Sequence, residues 1–127
     1  MPSFRKSERL CSKVAIDHLF SEGRPIFKYP VKLIWLADKA DNKPALRVVI
    51  SVSKRKFKRA VDRNRIKRLL RECFRLNKFI IENDLKNRQC SVALIYIGKE
   101  VPAKNDLESI IIDLFHRLSK DYENLVG

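Results

Sequence analysis

Apolar residues recur at helical spacing near the start, in the middle and at the end of the chain, which predicts three amphipathic helices. The first covers about 13–22, with Ser12 as its N-cap and Gly23 as its stop. The last is capped by Asn105 or Asp106 and has apolar residues at i, i+3, i+4, i+7, i+8 and i+11. These apolar residues are Leu107, Ile110, Ile111, Leu114, Phe115 and Leu118.

Alternating and β-branched segments predict the strands. Residues 31–36 and 46–52 each read as a strand, and the polar turn over 38–45 predicts that they pair as an antiparallel hairpin. Two prolines bracket residues 24–30 and exclude a helix there. Residues 90–97 are apolar on both parities, as expected of a strand that is buried on both faces.

The order of these elements predicts the fold class. It indicates one α+β domain over residues 1–127, an α-β-β-(β)-α-β-α two-layer sandwich in which the third strand is optional. A chain of 127 residues is long enough for one hydrophobic core and too short for two. We expect a mobile basic arm over residues 1–12 and a frayed tail over residues 120–127.

Basic residues are concentrated in residues 51–75. The whole chain has 28 Lys and Arg against 15 Asp and Glu, a formal net charge of +13. Eleven of these basic residues lie in the segment, opposed only by Asp62 and Glu72, which leaves a surplus of nine positive charges there. Unpaired like charges destabilise a compact state, so this density indicates a polyanionic partner: nucleic acid first, and anionic lipid second.

The basic segment becomes helical at about Ala60 and ends near residues 77–78. With Ile66 set at zero and about 100° per residue, one group of side chains falls within about 80° of it and predicts the inner face. This apolar group is Leu69, Leu70, Cys73, Phe74 and Leu76. The opposite side, a cationic stripe, carries Asn64, Lys67, Arg68, Arg71 and Arg75.

Residues that could support catalysis or bind a metal are scattered. Cys11, Cys73 and Cys90 lack metal-ligand spacing and do not form a disulfide framework, so we interpret them as small buried hydrophobes in a reducing cytosol. His18 and His116 lie on different helices, and three glycines cannot form a phosphate-cradling loop. We therefore predict no catalytic residue and no metal ligand in the protein. Because no signal peptide or membrane span is recognisable, we expect a cytoplasmic protein.

An asparagine, Asn64, lies between two arginines of the basic helix. Its amide can bond a phosphate, a 2′-hydroxyl or a base edge. A basic helix can enter the major groove of B-form DNA, whereas on RNA it would lie along backbone phosphates. Composition and periodicity therefore leave both DNA and RNA open as partners.

One motif narrows this choice. The segments SVSK at 51–54, AVDRNRIKR at 60–68 and RE at 71–72 together resemble the signature of the bacterial ribonuclease P protein subunit. The similarity extends to the first helix ending in LFSEG, the hairpin, the buried strand and the closing amphipathic helix. It implies a protein that binds a catalytic RNA, which removes the 5′ leader of precursor tRNA. The positions that match the family's RNA-binding set are Lys54, Lys56, Arg59, Arg63, Asn64, Arg65, Lys67, Arg68 and Arg71.

The resemblance also implies a cleft for the single-stranded 5′ leader between the first helix and the sheet. The positions that fall there are Arg9, Ile16, Phe20 and Ile34. Ile16 and Ile34 are often aromatic in the family, so base stacking is weaker here unless an aromatic residue nearby substitutes for them. The candidates for that substitution are Trp35, Phe27 and Tyr29.

Further expectations rest on the resemblance alone. It implies Mg²⁺ held mainly by the RNA and none bound by the protein, a 1:1 complex of protein monomer and RNA, and neither membrane nor DNA as a partner. It implies a fold like domain 2 of ribosomal protein S5, with a left-handed βαβ crossover through the basic helix, although such units are usually right-handed. A general RNA-binding or ribosome-assembly protein of the same fold is the alternative.

Overall fold

The computed structural model describes residues 13–38, 46–83 and 89–126, and it has the predicted α+β class. The predicted N-cap, Ser12, lies outside these ranges. The elements are α1 (Lys13–Glu22), β1 (Arg24–Lys28), β2 (Val31–Asp38), β3 (Leu46–Val52), α2 (Ala60–Asn77), α3 (Phe79–Glu82), β4 (Gln89–Tyr96) and α4 (Lys104–Val126).

The four strands form one mixed sheet in the order β1-β2-β4-β3. β1 and β2 are an antiparallel hairpin that turns at Tyr29 and Pro30. β4 pairs antiparallel with β2 and parallel with β3. The basic helix α2 therefore lies in the connection between two parallel strands, β3 and β4, as the predicted βαβ unit requires.

The predicted hairpin of residues 31–36 with residues 46–52 is wrong, because β4 lies between β2 and β3. β4 is buried along most of its length, and a strand that is apolar on both faces buries most surface in a central position. Residues 24–30, which the sequence only marks as non-helical, supply β1 instead. β1 is the true hairpin partner of β2.

The main core lies between one face of the sheet and the helices α2 and α4. Phe74 of α2 meets Phe115 of α4 edge-on, with ring centroids 6.3 Å apart and an angle of 88° between the rings. Ile66 and Leu70 are buried beside them. The apolar side predicted for α2 is thus confirmed as its inner face.

Helix α4 begins a few residues earlier than the sequence predicts. Its first residue is Lys104, so the prediction that Asn105 or Asp106 caps it is wrong. The carbonyl oxygen of Ala103 already accepts a helical hydrogen bond, at 3.0 Å, from the amide of Leu107. The two polar residues consequently lie inside the first turn.

At its other end, α4 continues through Val126, across the segment that the sequence predicts to fray. Tyr122 is only 2% exposed and packs edge-on against Trp35 of β2, with ring centroids 6.3 Å apart. The turn of α4 that carries Tyr122 therefore packs on the core.

The opposite face of the sheet is covered in part by α1. Leu19 packs against Ile34 of β2 and Ala93 of β4 in a separate buried cluster. Gly23 ends the helix, and its amide donates to the Leu19 carbonyl oxygen at 2.8 Å. A Cβ at Gly23 would overlap that oxygen and the Ile34 side chain, so the close approach of α1 to the sheet requires glycine here.

Two of the three cysteines are described, and both are buried free thiols as predicted. Burial raises the pKa of the Cys73 thiol to about 11. Cys11 lies outside the described ranges. Within residues 13–38, 46–83 and 89–126, no helix combines the length and apolar character that crossing a membrane demands.

Candidate nucleic-acid interface

The outer face of α2 carries unpaired polar and basic side chains. Asn64, Arg65 and Arg68 are exposed, and Lys67 and Arg71 are half-buried. None of these five side chains makes a hydrogen bond or ion pair with another described residue. Their donors are therefore available to an external partner, and we call these five residues the α2 outer face.

Arg75, which the helical projection puts on the same side, differs from them. Its guanidinium makes an ion pair with Glu72, three residues earlier, and its Nε lies 3.3 Å from the second carboxylate oxygen. The hydrogen bond from Arg75 lowers the pKa of the Glu72 carboxyl. Along this side of α2, Arg71 is therefore the last cation without a partner among the described residues.

Arg63, predicted to face RNA, points back into the protein. Its Nη1 donates to the carbonyl oxygen of Phe57 at 2.7 Å and to that of Lys58 at 2.9 Å. On the helical projection Arg63 lies about 60° from Ile66, on the core side. The helical projection therefore indicates the direction of the Arg63 side chain, which the family resemblance does not. The side chain points toward the loop that precedes α2 and donates to two of its carbonyl oxygens.

The loop 53–59, which connects β3 to α2, is held at several points. Phe57 is buried and its ring centroid lies 6.0 Å from that of Tyr96. Lys56 donates from Nζ to the carbonyl oxygen of Ile97 at 2.6 Å. The amide of Phe57 donates to the Ser53 carbonyl oxygen at 3.1 Å. The remaining basic side chains of this loop are exposed: Lys54, Arg55, Lys58 and Arg59.

Comparison with known proteins identifies the family to which the chain belongs. A family model described as Ribonuclease P matches residues 4–119. The chain belongs to the ribonuclease P protein family. The ribonuclease P protein component of Porphyromonas gingivalis is 36% identical over 99 residues, covering 76% of this chain and 72% of that one. The component from Chlorobium phaeobacteroides is 32% identical over 128 residues, covering 91% and 88%.

A solved structure supports the same assignment at the level of fold. The ribonuclease P protein from Thermotoga maritima superposes with a TM-score of 0.70 at 23% identity, covering 87% of this chain and 96% of that one. As a ribonuclease P family member, the chain is a protein subunit of this tRNA-processing ribonucleoprotein. Its partner is accordingly ribonuclease P RNA.

The residues predicted for the family's leader cleft differ in accessibility. Ile34 is 7% exposed and lies beneath α1, and Ile16 is half-buried in the same cluster. Phe20 is 44% exposed on α1. Arg9 lies outside the described residues. The isoleucines therefore form the floor of this region, and only Phe20 presents a ring to solvent among the described members of the predicted set.

An aromatic residue on the same side of the sheet is Phe27 of β1. It pairs with Lys32, which shares a face with Ile34 because residues two apart in a strand point the same way. Phe27 is 53% exposed. Trp35, by contrast, is buried in the main core. Phe27 therefore lies on the same face of the sheet as Ile34, whereas Trp35, the residue next to Ile34 in β2, lies on the opposite face. Of these two aromatic residues, only Phe27 can contribute to the predicted cleft.

Potential metal and acid–base groups do not assemble in the described part of the chain. No three His, Cys, Asp or Glu side chains come together there as a metal site. His18 lies on α1 and His116 on α4, and both are exposed. These two helices pack on opposite faces of the sheet, so the two imidazoles cannot share a site.

Proposed function

We propose that the α2 outer face binds the catalytic RNA of ribonuclease P, and that the protein positions the 5′ leader of precursor tRNA while the RNA carries out hydrolysis. The observation that carries the proposal is a helix face of five side chains that have no partner among the described residues, in a member of this family. We place the complex in the cytoplasm, with one protein monomer bound to each RNA.

The chemistry of this face suits phosphate. Arg65, Arg68 and Arg71 each offer a planar guanidinium that can donate two parallel hydrogen bonds to phosphate oxygens. The absence of intramolecular partners for these side chains, within the described residues, means that RNA binding breaks no ion pair. Asn64 can add a hydrogen bond to a phosphate or to a 2′-hydroxyl, which distinguishes RNA from DNA.

The proposed leader site is the partly uncovered sheet face beside α1. Phe20 and Phe27 offer exposed rings on which unpaired bases can stack. Lys32, exposed and opposite Phe27 in the sheet, can contact the backbone phosphate between bases. This arrangement would hold a single strand by stacking and charge, with little dependence on base identity.

The proposal assigns hydrolysis to the RNA. A protein active site would require a nucleophile and base, or clustered metal ligands, within reach of one another. The described residues supply no such metal cluster, and the two histidines lie on opposite sides of the sheet. The Mg²⁺ that this chemistry uses would be held by RNA phosphates, where it stabilises the charge that develops at the scissile phosphate.

Reconstitution tests the proposal. Purified protein is added to a bacterial ribonuclease P RNA at a Mg²⁺ concentration too low for the RNA alone to act. Cleavage of precursor tRNA at its mature 5′ end should be restored, and the protein alone should cleave nothing. A failure to stimulate cleavage would reject the proposed function, and equal affinity for any structured RNA would favour a general RNA-binding protein instead.

A further inference from the structure

A surface groove lies between the loop 53–59 and the turn that follows β4, at the N-terminal end of α2. Its volume is about 510 Å³. Two carboxylates, Asp62 and Glu100, line it together with five cationic side chains, so its net charge is positive. These cationic residues are Arg55, Lys56, Lys58, Arg59 and Lys99.

The two walls of this groove are tied to each other. The Lys56 ammonium donates to the Ile97 carbonyl oxygen at 2.6 Å, which joins the loop to the end of β4. Beneath this bond Phe57 packs against Tyr96, and the Tyr96 hydroxyl donates to the Glu100 carbonyl oxygen at 2.6 Å. A ligand entering the groove therefore meets walls that are already in position, which lowers the entropic cost of binding.

Four of the five groove cations, all except Lys56, have no hydrogen-bond or ion-pair partner for their side chains among the described residues. Arg55, Lys58, Arg59 and Lys99 are exposed, and none forms an ion pair with another described residue. Lys99 comes from the C-terminal part of the chain, where acidic residues outnumber basic ones by six to four. That composition indicates a scaffold, yet the fold brings this one lysine beside the basic loop.

The lining favours an extended polyanion over a small organic molecule. Small-molecule sites are mostly apolar and enclosed, with few polar groups, whereas Phe57 and Val101 are the only large apolar residues among the groove's described lining. A concave surface with an excess of one charge concentrates the opposite charge near it. Evenly spaced phosphates of a nucleic-acid backbone match several cations presented along one groove.

We infer that this groove binds a backbone segment of ribonuclease P RNA, with Lys99 as an RNA contact contributed by the β4–α4 turn. The inference rests on the proposed function, since it extends the same RNA interface. Asp62 projects about 160° away from Asn64 around α2, so the groove and the α2 outer face lie on different sides of that helix. The RNA would then contact the N-terminal end of α2 on two sides.

Two substitutions that should change RNA affinity in opposite directions test the inference in the full-length protein. Binding to a bacterial ribonuclease P RNA is measured over a range of salt concentrations. Lys99→Ala should weaken binding at every salt concentration and reduce the log–log salt slope by about 0.7–0.9, the value for one phosphate contact. Glu100→Gln, which removes a repelling carboxylate from the wall, should tighten binding. Lys120→Ala, which removes an exposed charge outside the groove, should change neither quantity.

Arg68→Ala, on the α2 outer face, distinguishes failure of the groove inference from failure of the proposed function. If Arg68→Ala weakens binding while Lys99→Ala and Glu100→Gln both match the wild type, the groove inference is overturned and the proposed function stands. If none of the three variants alters binding, both are overturned. Equal melting temperatures of all variants would exclude unfolding as the cause of any loss.

Discussion

Arg63 donates a hydrogen bond from Nη1 to the carbonyl oxygen of Phe57, six residues earlier, at 2.7 Å. The same nitrogen lies 2.9 Å from the carbonyl oxygen of Lys58. A guanidinium from the first turn of α2 thus holds the loop that leads into that helix. Because Phe57 is itself buried against Tyr96, this contact connects α2 to the edge of the core.

Replacing Arg63 with Ala should therefore reduce stability. The Phe57 carbonyl oxygen loses a charged donor in a partly buried position, and the Lys58 carbonyl oxygen loses one at an exposed position. The loss costs about 1–3 kcal/mol of the free energy of unfolding. Arg65→Ala is the matched control: its exposed side chain has no described partner, so the change should stay within about 0.5 kcal/mol. Chemical denaturation of both variants measures the difference. Equal stability of the two variants would show that the Arg63 contacts are not maintained in solution.

The contact between Tyr122 and Trp35 makes the end of α4 part of the core. Tyr122→Ala should lower the free energy of unfolding by about 3 kcal/mol, because it removes a buried aromatic ring and leaves a cavity. Lys120→Ala, at an exposed position in the same turn of helix, should have almost no effect. Thermal melting distinguishes them. A wild-type melting temperature for Tyr122→Ala would mean that the tail frays after all.

The Cys73 thiol should make stability depend on pH under alkaline conditions. Its pKa is raised to about 11 by burial, from an ordinary value of 9.0. Below pH 9 the thiol is protonated in both the folded and the unfolded state, so its contribution is fully present. Between pH 9 and 11 the unfolded state loses the proton first, so the free energy of unfolding should fall, by roughly 2–3 kcal/mol in all.

Comparison with Cys73→Ala isolates this contribution from the lysines and tyrosines that titrate in the same range. Urea denaturation from pH 8 to pH 11 should show a steeper loss of stability for the wild type than for the variant. Parallel curves would mean that Cys73 ionises in the folded protein as readily as in the unfolded chain.

Phe27 should matter for substrates that carry a leader. Stacking of one base on an aromatic ring contributes about 1–3 kcal/mol, so Phe27→Ala should weaken binding of precursor tRNA to the reconstituted complex by about tenfold or more. Binding of mature tRNA, which has no leader, should be unchanged. Tyr29→Ala is the control, because it removes an exposed ring from the β1–β2 turn rather than from the sheet face. A loss of equal size for both tRNAs would exclude a leader-specific role of Phe27.

The two faces of α2 could be predicted from the sequence because periodicity and charge report on them independently. Ile66, Leu70 and Phe74 are buried, and Asn64 and Arg68 are exposed, as the projection indicates. The resemblance places Arg63 in the RNA-binding set because a family motif assigns a residue type to a function, whereas the direction of the side chain depends on the helix angle and on the loop beside it. Both of its acceptors are backbone carbonyls, which carry no signal in the sequence.

The strand order could not be predicted from local patterns. Residues 46–52 follow residues 31–36 closely enough for a hairpin, but β4, more than thirty residues later, takes the place between them. The apolar pattern of residues 90–97 predicts a strand that is buried on both faces, but it does not say which two strands flank it, and that is a property of the assembled fold. The groove was not foreseen for the same reason: Lys99 and Arg55 are 44 positions apart in the chain and become neighbours through the Lys56–Ile97 contact.

The salt dependence of RNA binding tests the central claim, that the α2 outer face binds RNA through its phosphates. If about 5–8 phosphates are neutralised, the slope of log affinity against log salt for the wild type should lie between about −4 and −7. A variant with Arg65, Arg68 and Arg71 all replaced by Ala should lose about 2–3 of that slope while melting at the wild-type temperature, since exposed unpaired cations contribute little to folding. A wild-type slope near −1, or an unchanged slope in the triple variant, would contradict the account.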